Sequence, residues 1–437
     1  MRIQQHYRTV LATLITTTLP FSSAADAVEL GGMLKSQSSY NTVEHDWQKQ
    51  DWQLDLELNT VLGAGDLTAI TRLTMDTEDQ LNHSEKQNTY SQWANPSIIK
   101  QHGDAALREF YWVYQGDTVF WRLGKQQVVW GEADGLKLLD IVNPQNYREF
   151  ILDDFDDSRI PLWMVNAEVN VGDDGLLQVL WIPDTTTNSL APVNSPYWFS
   201  SPLLVPQASP GLTVQLEESQ ASSKPIKDSD FGLRLSQYWS GWDITFNYLY
   251  HTVDDPVLST RINGTVAHIE SGYERSHLIG GSASNAFGDW TLRSEIAYET
   301  NRFHRSTQVL PGVIKANQWA SVIGLDFQGW TNQFISFQWF QTRILANDDL
   351  LIKSKTEDIV SLLWETKFMN DTLTLSWLNL YSLDHHDGLF RPKISYNLFS
   401  NLDLTLGVDR FYGQSEGLFG QFDQTDRINI GFEWGIN

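Results

Sequence analysis

The segment WQLDLELNT, residues 52–60, alternates strictly between apolar and polar side chains. Successive side chains of a β-strand point to opposite sides, so this spacing separates two faces. One face carries Trp52, Leu54, Leu56 and Leu58, and the other carries Gln53, Asp55, Glu57 and Asn59. The first face suits hydrocarbon and the second suits water. The segment therefore predicts an amphipathic strand.

The same alternation recurs along the chain, for example in residues 242–250, 402–409 and 426–435. Chance alternation does not persist over so many segments. Together, the segments of this kind predict about 18 strands, each about 9–13 residues long. Their predicted centres are residues 33, 56, 71, 110, 123, 167, 179, 234, 246, 281, 294, 321, 338, 362, 377, 394, 407 and 431.

The connections between these predicted strands alternate in length. Short turns follow every even-numbered strand. They lie at residues 63–66, 115–117, 172–175, 240–242, 288–290, 328–332, 369–372 and 399–402. Long connections mostly follow the odd-numbered strands, at about 78–103, 131–161, 184–227, 253–274 and 301–315.

This asymmetry is typical of outer-membrane barrels, which have tight periplasmic turns and long extracellular loops. The predicted fold is therefore all-β: a transmembrane antiparallel β-barrel of about 18 strands, with both chain ends in the periplasm. A soluble β-sandwich also alternates, but it would bury its aromatic face in a core about 10 Å thick. A sandwich offers no reason for the alternation of short and long connections.

The composition agrees with a barrel in a membrane and argues against several other classes. Aromatic residues make up 12% of the 437 residues, including 18 Trp, and such rings favour membrane interfaces. The absence of cysteine excludes disulfides, thiolate metal sites and covalently attached c-type haem. The formal net charge of -24 argues against nucleic-acid binding, which requires clustered Lys and Arg.

Residues 1–25 have the order of features found in a secretory signal peptide. Arg2 and Arg8 form a basic region, residues 9–21 are mainly apolar, and small residues follow at positions 23–25. We therefore expect residues 1–25 to be removed and residues 26–437 to form a single barrel. Beyond residue 25, no run of about 18 apolar residues predicts a membrane-spanning helix.

The C-terminal run, residues 428–434, contains Gly431 and the aromatic residues Phe432 and Trp434. It resembles the signal recognised by the outer-membrane barrel assembly machinery, although the last residue is Asn437 rather than Phe. This resemblance implies that the assembly machinery is a partner of the chain.

The most distinctive stretch contains RLGKQ at 122–126, WGE at 130–132 and NP at 143–144. The order of these motifs resembles the domain of unknown function 1302 family, Gram-negative outer-membrane barrels grouped with alginate-export-like porins. The resemblance is close over residues 118–130 and the following loop and architectural elsewhere, and it implies an outer-membrane location and transport. The motif residues are Gly124, Lys125, Gln126, Trp130, Gly131, Asn143 and Pro144.

The loop at residues 131–161 is too apolar to remain outside the barrel, and we expect it to fold inward. We expect it to be partly helical through residues 145–152 and to constrict the lumen as a plug or selectivity element. Gly124 and Gly131 permit a bend or bulge beside it, and Arg122 is expected to point into the lumen. The apolar loop residues are Leu136, Leu138, Leu139, Ile141, Val142, Phe150, Ile151, Leu152, Phe155 and Ile160.

Charged residues in and beside this loop predict a constriction of the lumen. They are Arg122, Glu132, Arg148, Glu149, Asp153, Asp154, Asp156, Asp157 and Arg159. Three interpretations stay open: a charge ring that sorts permeants by sign, a calcium site, and a solvated loop crest with internal ion pairs. The acidic run lacks the alternating spacing and distal Glu of an EF-hand loop.

The water-facing sides of the predicted strands carry charges of both signs. They include Asp55, Glu57, Arg72, Arg122, Arg234, Arg293, Glu295, Glu365, Lys367, Lys393 and Arg427. Opposed charges at this density form ion pairs across the lumen, so we expect no single-sign field of the kind that captures a polyanion.

The sequence carries no metalloprotease signature: it has ten His but no HExxH motif. His385, His386 and Asp387 are adjacent near a strand end, where neighbouring side chains point apart and do not chelate together. We therefore expect no catalytic residue, no cofactor and no metal site.

These features predict a channel or porin-like transporter in the Gram-negative outer membrane, for a hydrophobic, saccharide or small charged substrate. The alternative is a plugged structural or partner-binding barrel of an export assembly. Such a barrel would bind lipopolysaccharide through bridging divalent cations, or a periplasmic or inner-membrane transport partner. A remoter alternative is a lipid hydrolase with a Ser-His pair at the barrel rim.

Overall fold

The computed structural model describes residues 28–78, 80, 89–100, 102–207, 211–217, 224–308 and 310–436. The predicted signal peptide, residues 1–25, lies outside the described residues. Within them, no helix is both long enough and apolar enough to cross a membrane. The helices that are described are short: Phe155–Ser158, Asp348–Leu350 and Gly420–Thr425.

Eighteen antiparallel strands form one closed barrel, in which each strand pairs with the next along the chain. Closure comes from the pairing of the first strand with the last, from Gly32 opposite Ile436 to Asn41 opposite Arg427. The strands are β1 (Glu29–Asn41), β2 (Asp46–Leu62), β3 (Gly65–Asp76), β4 (Gly103–Gln115), β5 (Val119–Gln126), β6 (Leu162–Val171), β7 (Gly175–Ile182), β8 (Asp230–Trp239), β9 (Trp242–Thr252), β10 (Arg275–Phe287), β11 (Trp290–Arg305), β12 (Val313–Phe327), β13 (Gln333–Ile344), β14 (Thr356–Phe368), β15 (Leu373–Ser382), β16 (Asp387–Phe399), β17 (Leu402–Tyr412) and β18 (Arg427–Ile436).

Every predicted strand centre lies within one of these strands, and the predicted barrel fold is confirmed. The tight turns follow the even-numbered strands and lie at the same end of the barrel as both chain ends. In one of them Ser240 and Gly241 have φ of +50° and +87°. Positive φ at both central residues matches the twist of a hairpin joined by two residues.

The prediction of a long connection at 301–315 is wrong. Strand β11 continues to Arg305 and β12 begins at Val313, and the two pair beyond a register shift after Glu299. Each face of this extension mixes polar side chains with apolar ones such as Phe303 and Ile314, so the alternation that identifies the other strands is lost there. In the connection 253–274, Val257–Asn263 and Val266–Gly272 form a hairpin, which Thr213–Leu216 joins in parallel.

The barrel wall has an apolar outer face and a polar inner face. On β9, Phe246 is 62% exposed, whereas its neighbours Thr245 and Asn247 are 1% and 3% exposed. On β11, Ile296 is 51% exposed and Glu295 is buried. A soluble sandwich would bury the aromatic side chains instead. This arrangement is the one that hydrocarbon around a closed barrel requires.

Candidate functional site

Residues 127–161, which connect β5 to β6, are called the inner segment below. They include residues 131–161, for which an inward fold is predicted. Their hydrogen bonds reach Glu295 on β11 and Lys49 on β2, strands on different sides of the barrel. A segment contacts both of these walls only from within the closed sheet. The inner segment therefore occupies part of the lumen.

The first part of the inner segment is fixed to the wall by hydrogen bonds. The carboxylate of Glu295 accepts the backbone N–H groups of Glu132 at 2.5 Å, Ala133 at 3.0 Å and Leu139 at 3.1 Å. Beside it, the guanidinium of Arg293 forms an ion pair with Asp134 at 2.5 Å. These contacts hold the backbone of residues 132–139 against β11.

Two buried apolar clusters hold the inner segment on opposite sides. In the first cluster, fully buried Trp130 and Leu139 pack against strands between β6 and β13. In the second, Phe150 and Leu152 pack against β15, β16 and β17. Fully burying such a side chain contributes about 1.5–3 kcal/mol. The wall and loop residues are Leu162, Met164, Leu180, Ile182, Leu249, Leu278, Ala297, Val322 and Phe340 in the first cluster, and Tyr197, Leu380, Leu389, Phe411, Phe419 and Phe422 in the second.

Asn143 of the NP motif ties the two ends of the inner segment together. Its side-chain oxygen accepts the backbone N–H of Val128 at 2.8 Å. Its amide nitrogen donates to the carbonyl oxygens of Gln126 at 3.3 Å and Ile160 at 3.0 Å. The carbonyl of Pro144 accepts the N–H of Ile160 at 2.8 Å. The motif therefore closes the base of the inner segment.

The other motif residues shape the entry into the inner segment. Gly124 has φ of +132°, and an added Cβ would lie 2.1 Å from the carbonyl oxygen of Phe110. At Gly131, an added Cβ would lie 2.9 Å from the backbone nitrogen of Asp140. The indole of Trp130 donates to Gln178 at 2.8 Å. Both glycines are thus required by close approach of the backbone.

Arg122 and Gln126 complete the RLGKQ motif on β5. Arg122 pairs in register with buried Asn166, and its guanidinium lies over the ring of Tyr111, 5.2 Å from the centroid. Gln126 is fully buried and donates to the carbonyl oxygen of Arg122 at 3.0 Å. The structure places Arg122 on the lumenal face.

A continuous chain of buried ion pairs joins Glu149 of the inner segment to the wall. Glu149 contacts Lys49 at 2.5 Å and Arg427 at 2.8 Å. Arg427 continues to Asp409 at 2.9 Å, and Asp409 to Arg391 at 2.8 Å. Lys49, Glu149, Arg427 and Asp409 are each at most 5% exposed. The chain links β2, β18, β17 and β16 through a single carboxylate of the inner segment.

A second ion-pair chain holds Asp157. Its carboxylate contacts Lys35 on β1 at 2.9 Å and Arg72 on β3 at 2.7 Å. Arg72 also contacts Asp55 at 2.7 Å. Arg108 of β4 donates to the backbone carbonyl oxygen of Asp156, the residue before Asp157, at 2.5 Å. The wall formed by β1–β4 is therefore bound to the end of the inner segment by polar contacts.

The carboxyl groups of the inner segment differ in acidity because their surroundings differ. Burial opposes ionisation of Glu149, but Lys49 and Arg427 outweigh it and lower the pKa of Glu149 to about 2. Burial and the neighbouring charge of Glu149 raise the pKa of Asp153 to about 7. For Asp157, Arg72 and Lys35 outweigh burial, and the pKa lies well below its usual range.

A cavity of about 410 Å³ separates the inner segment from β1–β5 and β14–β18. A second cavity of about 220 Å³ lies between the inner segment and β15–β16. Four residues line both cavities: Asp153 and Asp154 of the inner segment, and Leu378 and Arg391 of the wall. The two cavities therefore meet where the acidic run faces β15 and β16.

Comparison with known proteins places the chain in a family. The family described as "Protein of unknown function (DUF1302)" matches residues 21–376. The chain belongs to the DUF1302 family. The resemblance inferred from the motifs on β5 and in the inner segment is thus confirmed. No curated protein matches the chain.

Two solved structures from Acinetobacter baumannii resemble this DUF1302 barrel. OccAB2 is 10% identical, with a TM-score of 0.52, and the match covers 93% of this chain and 97% of that chain. OccAB3 is 9% identical, with a TM-score of 0.53, and the match covers 94% of this chain and 99% of that chain. At this identity the likeness concerns the fold alone, which is that of outer-membrane porin-like barrels.

The structure distributes the predicted constriction residues of the DUF1302 barrel over different surroundings. Arg148, Glu149 and Arg159 are buried, Asp153, Asp157 and Glu132 are half-buried, and Asp154 and Asp156 are exposed. Arg159 pairs with Asp140 at 2.8 Å and with Asp156 at 2.5 Å. The interpretation as a solvated crest with internal ion pairs therefore fails for Glu149 and Asp157, which pair with the wall.

Two further expectations concern a helix and a calcium site in the inner segment. The predicted partial helix at 145–152 is absent: Asn146–Tyr147 pairs with Ser189–Leu190, and Phe150 has φ of +55°, which breaks a helix. The only α-helix in the described part of the inner segment is Phe155–Ser158. As to calcium, the described residues contain no group of three or more His, Asp or Glu side chains placed to hold a metal ion.

Sequence reasoning missed Lys49 and Arg391, the wall cations at either end of the Glu149 chain. Arg391 has the same strand parity as Lys393, which alternation does place on the water-facing side, so its orientation could have been found. Lys49 lies before the strictly alternating part of β2, where no periodic signal exists.

Proposed function

We propose that this DUF1302 barrel is a non-enzymatic channel of the Gram-negative outer membrane, exported by its signal peptide, with its tight turns facing the periplasm. A small solute passes between the inner segment and the wall formed by β1–β5 and β14–β18. The observation that carries the proposal is the pair of cavities that meet at Asp153, Asp154, Leu378 and Arg391.

The surroundings of this path favour a polar or charged solute. The larger cavity is lined by side chains of both signs, and four of its cations pair with carboxylates of the protein: Lys35, Lys49, Arg72 and Arg391. Mixed signs do not concentrate a polyanion. At the junction, Asp153 and Asp154 make the inner segment acidic, whereas Arg391 of the wall is compensated by Asp409. Small cations are therefore favoured there.

Planar-bilayer recording of the full mature chain tests the proposal. We expect discrete conductance steps and a preference for cations that decreases in the double variant D153N/D154N, because the acidic charge at the junction is removed. Asp371 lies in the exposed turn between β14 and β15, and D371N is the matched control. Absence of conductance from folded, inserted protein would refute the channel.

A plugged structural or partner-binding barrel is the second candidate. It is favoured by the fixation of the inner segment to both walls through buried ion pairs and two apolar clusters. Its partners would be lipopolysaccharide through bridging divalent cations, the assembly machinery, or a periplasmic or inner-membrane component. It predicts inserted barrels without conductance. A lipid hydrolase would instead predict lipid turnover that disappears when one Ser or His is replaced by Ala.

A further inference from the structure

We propose that the larger cavity contains a binding site for a small organic anion, built by Arg108 of β4 and Lys125 of β5. Both residues line the cavity of about 410 Å³. The inference goes beyond the channel proposed above: the junction at Asp153 and Asp154 favours small cations, whereas Arg108 and Lys125 line only the larger cavity. It is carried by two irregularities of the backbone that bring these cations to the lumen.

Arg108 reaches the lumen through a β-bulge. Between Ile70 and Thr71, the register of the β3–β4 ladder shifts by one residue, which leaves Arg108 without a partner on β3. Bulges re-aim a side chain and are found next to functional sites. The guanidinium donates to the carbonyl oxygens of Asp156 at 2.5 Å and Arg159 at 3.1 Å, so it lies against the inner segment.

Lys125 reaches the same place through the conformation of Gly124. Strict alternation along β5 would place Lys125 on the outer face, in register with Phe110 and Trp163. Instead, Lys125 is only 4% exposed, and its ammonium donates to the carbonyl oxygen of Leu107 at 2.8 Å. The φ of +132° at Gly124 interrupts the regular strand immediately before it. Gly124 of the RLGKQ motif thus allows Lys125 to line the lumenal cavity.

Neither cation has a carboxylate partner in the part of the chain that the structure describes, and their hydrogen bonds go to backbone carbonyl oxygens. On the neighbouring wall, Lys35, Lys49 and Arg72 each pair with a carboxylate. Asp157 and Asp55, the acidic residues nearest to Arg108, already pair with Arg72. Two like charges that are partly removed from water without an ion-pair partner of their own are unfavourable. An anion in the cavity supplies the missing charge.

The two acidic residues in electrostatic range of Lys125 are already engaged. Glu109 accepts a hydrogen bond from the side-chain amide of Gln127 at 2.8 Å. Asp184 accepts the backbone N–H of Trp163 at 3.2 Å. Neither lies within ion-pair distance of the ammonium. The positive charge of Lys125 therefore stays available to a ligand.

The rest of the cavity favours an organic anion over a mineral one. Apolar side chains line it together with the charged groups, and its volume lies within the range of small-molecule sites, about 300–1,000 Å³. An apolar body could therefore lie beside a bound acidic group. The apolar lining residues are Leu152, Ile160, Leu363 and Leu378.

Isothermal titration of the detergent-solubilised full mature chain with benzoate tests the site. We expect benzoate to bind and its affinity to fall about tenfold in R108Q and in K125Q, which corresponds to about 1.4 kcal/mol each. Benzamide, the neutral analogue, and inorganic phosphate, which lacks an apolar body, should each bind at least about tenfold more weakly than benzoate. Lys315 pairs with Glu274 outside the cavity, and K315Q is the matched control.

Unchanged benzoate affinity in R108Q and K125Q would overturn the assignment of the site, provided that circular dichroism shows folded variants. If benzamide binds as tightly as benzoate, the ligand need not be an anion, and that part of the proposal is overturned. If phosphate binds as tightly as benzoate, the ligand need not be organic, and that part is overturned. The titration needs no membrane or current. Benzoate binding without conductance therefore refutes the channel alone, and conductance without benzoate binding refutes the site alone.

Discussion

Replacing Glu149 with Gln removes the charge that joins the inner segment to β2 and β18 while keeping the size of the side chain. Breaking a buried ion pair by removing one partner costs about 3–5 kcal/mol. In E149Q, Lys49 still has its ion pair with Asp51 at 3.1 Å, and Arg427 still has its ion pair with Asp409 at 2.9 Å, so neither cation loses all its partners. We therefore expect E149Q to lower the free energy of unfolding by about 2–3 kcal/mol.

Urea unfolding of the chain in lipid vesicles, followed by tryptophan fluorescence, measures this change. The 18 Trp report on both the wall and the interior. E149Q should lower the midpoint without changing the slope, since the surface exposed on unfolding is the same. Glu44 is exposed in the turn between β1 and β2, and E44Q should stay within about 0.5 kcal/mol of the parent. Equal midpoints for E149Q and E44Q would refute the reasoning.

E149Q also has an electrostatic consequence for Asp153. Burial and the charge of Glu149 raise the pKa of Asp153 to about 7, and the substitution removes the second cause. The pKa of Asp153 should therefore fall, and the carboxyl should ionise at lower pH. The reversal potential of the channel, recorded against pH under a salt gradient, should show its transition shifted to lower pH. An unshifted transition would mean that another group governs it.

Three further predictions concern the inner segment and β5. Folding raises the pKa of Asp153 from 3.8 to about 7, so the folded chain holds the proton more tightly than the unfolded chain. The free energy of unfolding should therefore fall as pH rises from about 4 to 7. The difference between the urea midpoints at pH 5 and pH 8 should be smaller in D153N than in the parent. G124A should lower the free energy of unfolding by about 1–3 kcal/mol or more, because φ is positive and the added Cβ meets the carbonyl of Phe110. This loss should exceed that of G172A, where the added Cβ meets nothing within 4 Å. The same urea series ranks the two variants. N143A should cost at least about 1–3 kcal/mol, since it leaves buried backbone groups unpaired; accelerated proteolysis of the inner segment in folded barrels is the measurement, and unchanged cleavage would contradict it.

Strand positions follow from sequence because the period-two signal is local. Where one face meets hydrocarbon and the other meets water, each side chain is apolar or polar according to its own face, as in residues 52–60. The signal fails where polar and apolar side chains mix on one face of a strand. Residues 302–305 of β11 are such a region, because Phe303 shares a face with Arg305, and alternation predicts a loop there although they pair with β12.

The partners of the inner segment do not follow from sequence. Its apolar content predicts burial, but not the wall that receives each side chain. Glu149 meets Lys49, 100 residues away, and Arg427, 278 residues away, and these distances depend on the closure of the whole sheet. Phe150, whose positive φ is incompatible with the predicted helix, is buried in the second cluster. Neither the ion-pair partners of Glu149 nor this packing can be predicted from local sequence patterns.

Carboxylates hold both halves of the inner segment. The first half depends on Glu295 and on the ion pair of Arg293 with Asp134, together with buried Trp130 and the amide of Asn143. The second half depends on the ionised carboxylates of Glu149 and Asp157, whose pKa values are both lowered by wall cations that outweigh burial. Stability from such groups is present above their unfolded pKa and is lost as pH falls through the folded one. Acid therefore removes the stabilising contribution of Glu149 only near pH 2.

The buried ion pairs of Glu149 decide which wall cations an anionic solute reaches. To contact Lys49 or Arg427, an anion must displace Glu149, whose buried pairs resist both neutral pH and salt screening. Arg108 and Lys125 carry no protein carboxylate to displace. At neutral pH an acidic solute in the cavity therefore meets these two cations without displacing a carboxylate. Lys125 bonds to the wall, through the carbonyl oxygen of Leu107, whereas Arg108 also donates to the backbone of the inner segment. Arg108 therefore both retains the segment and receives the solute.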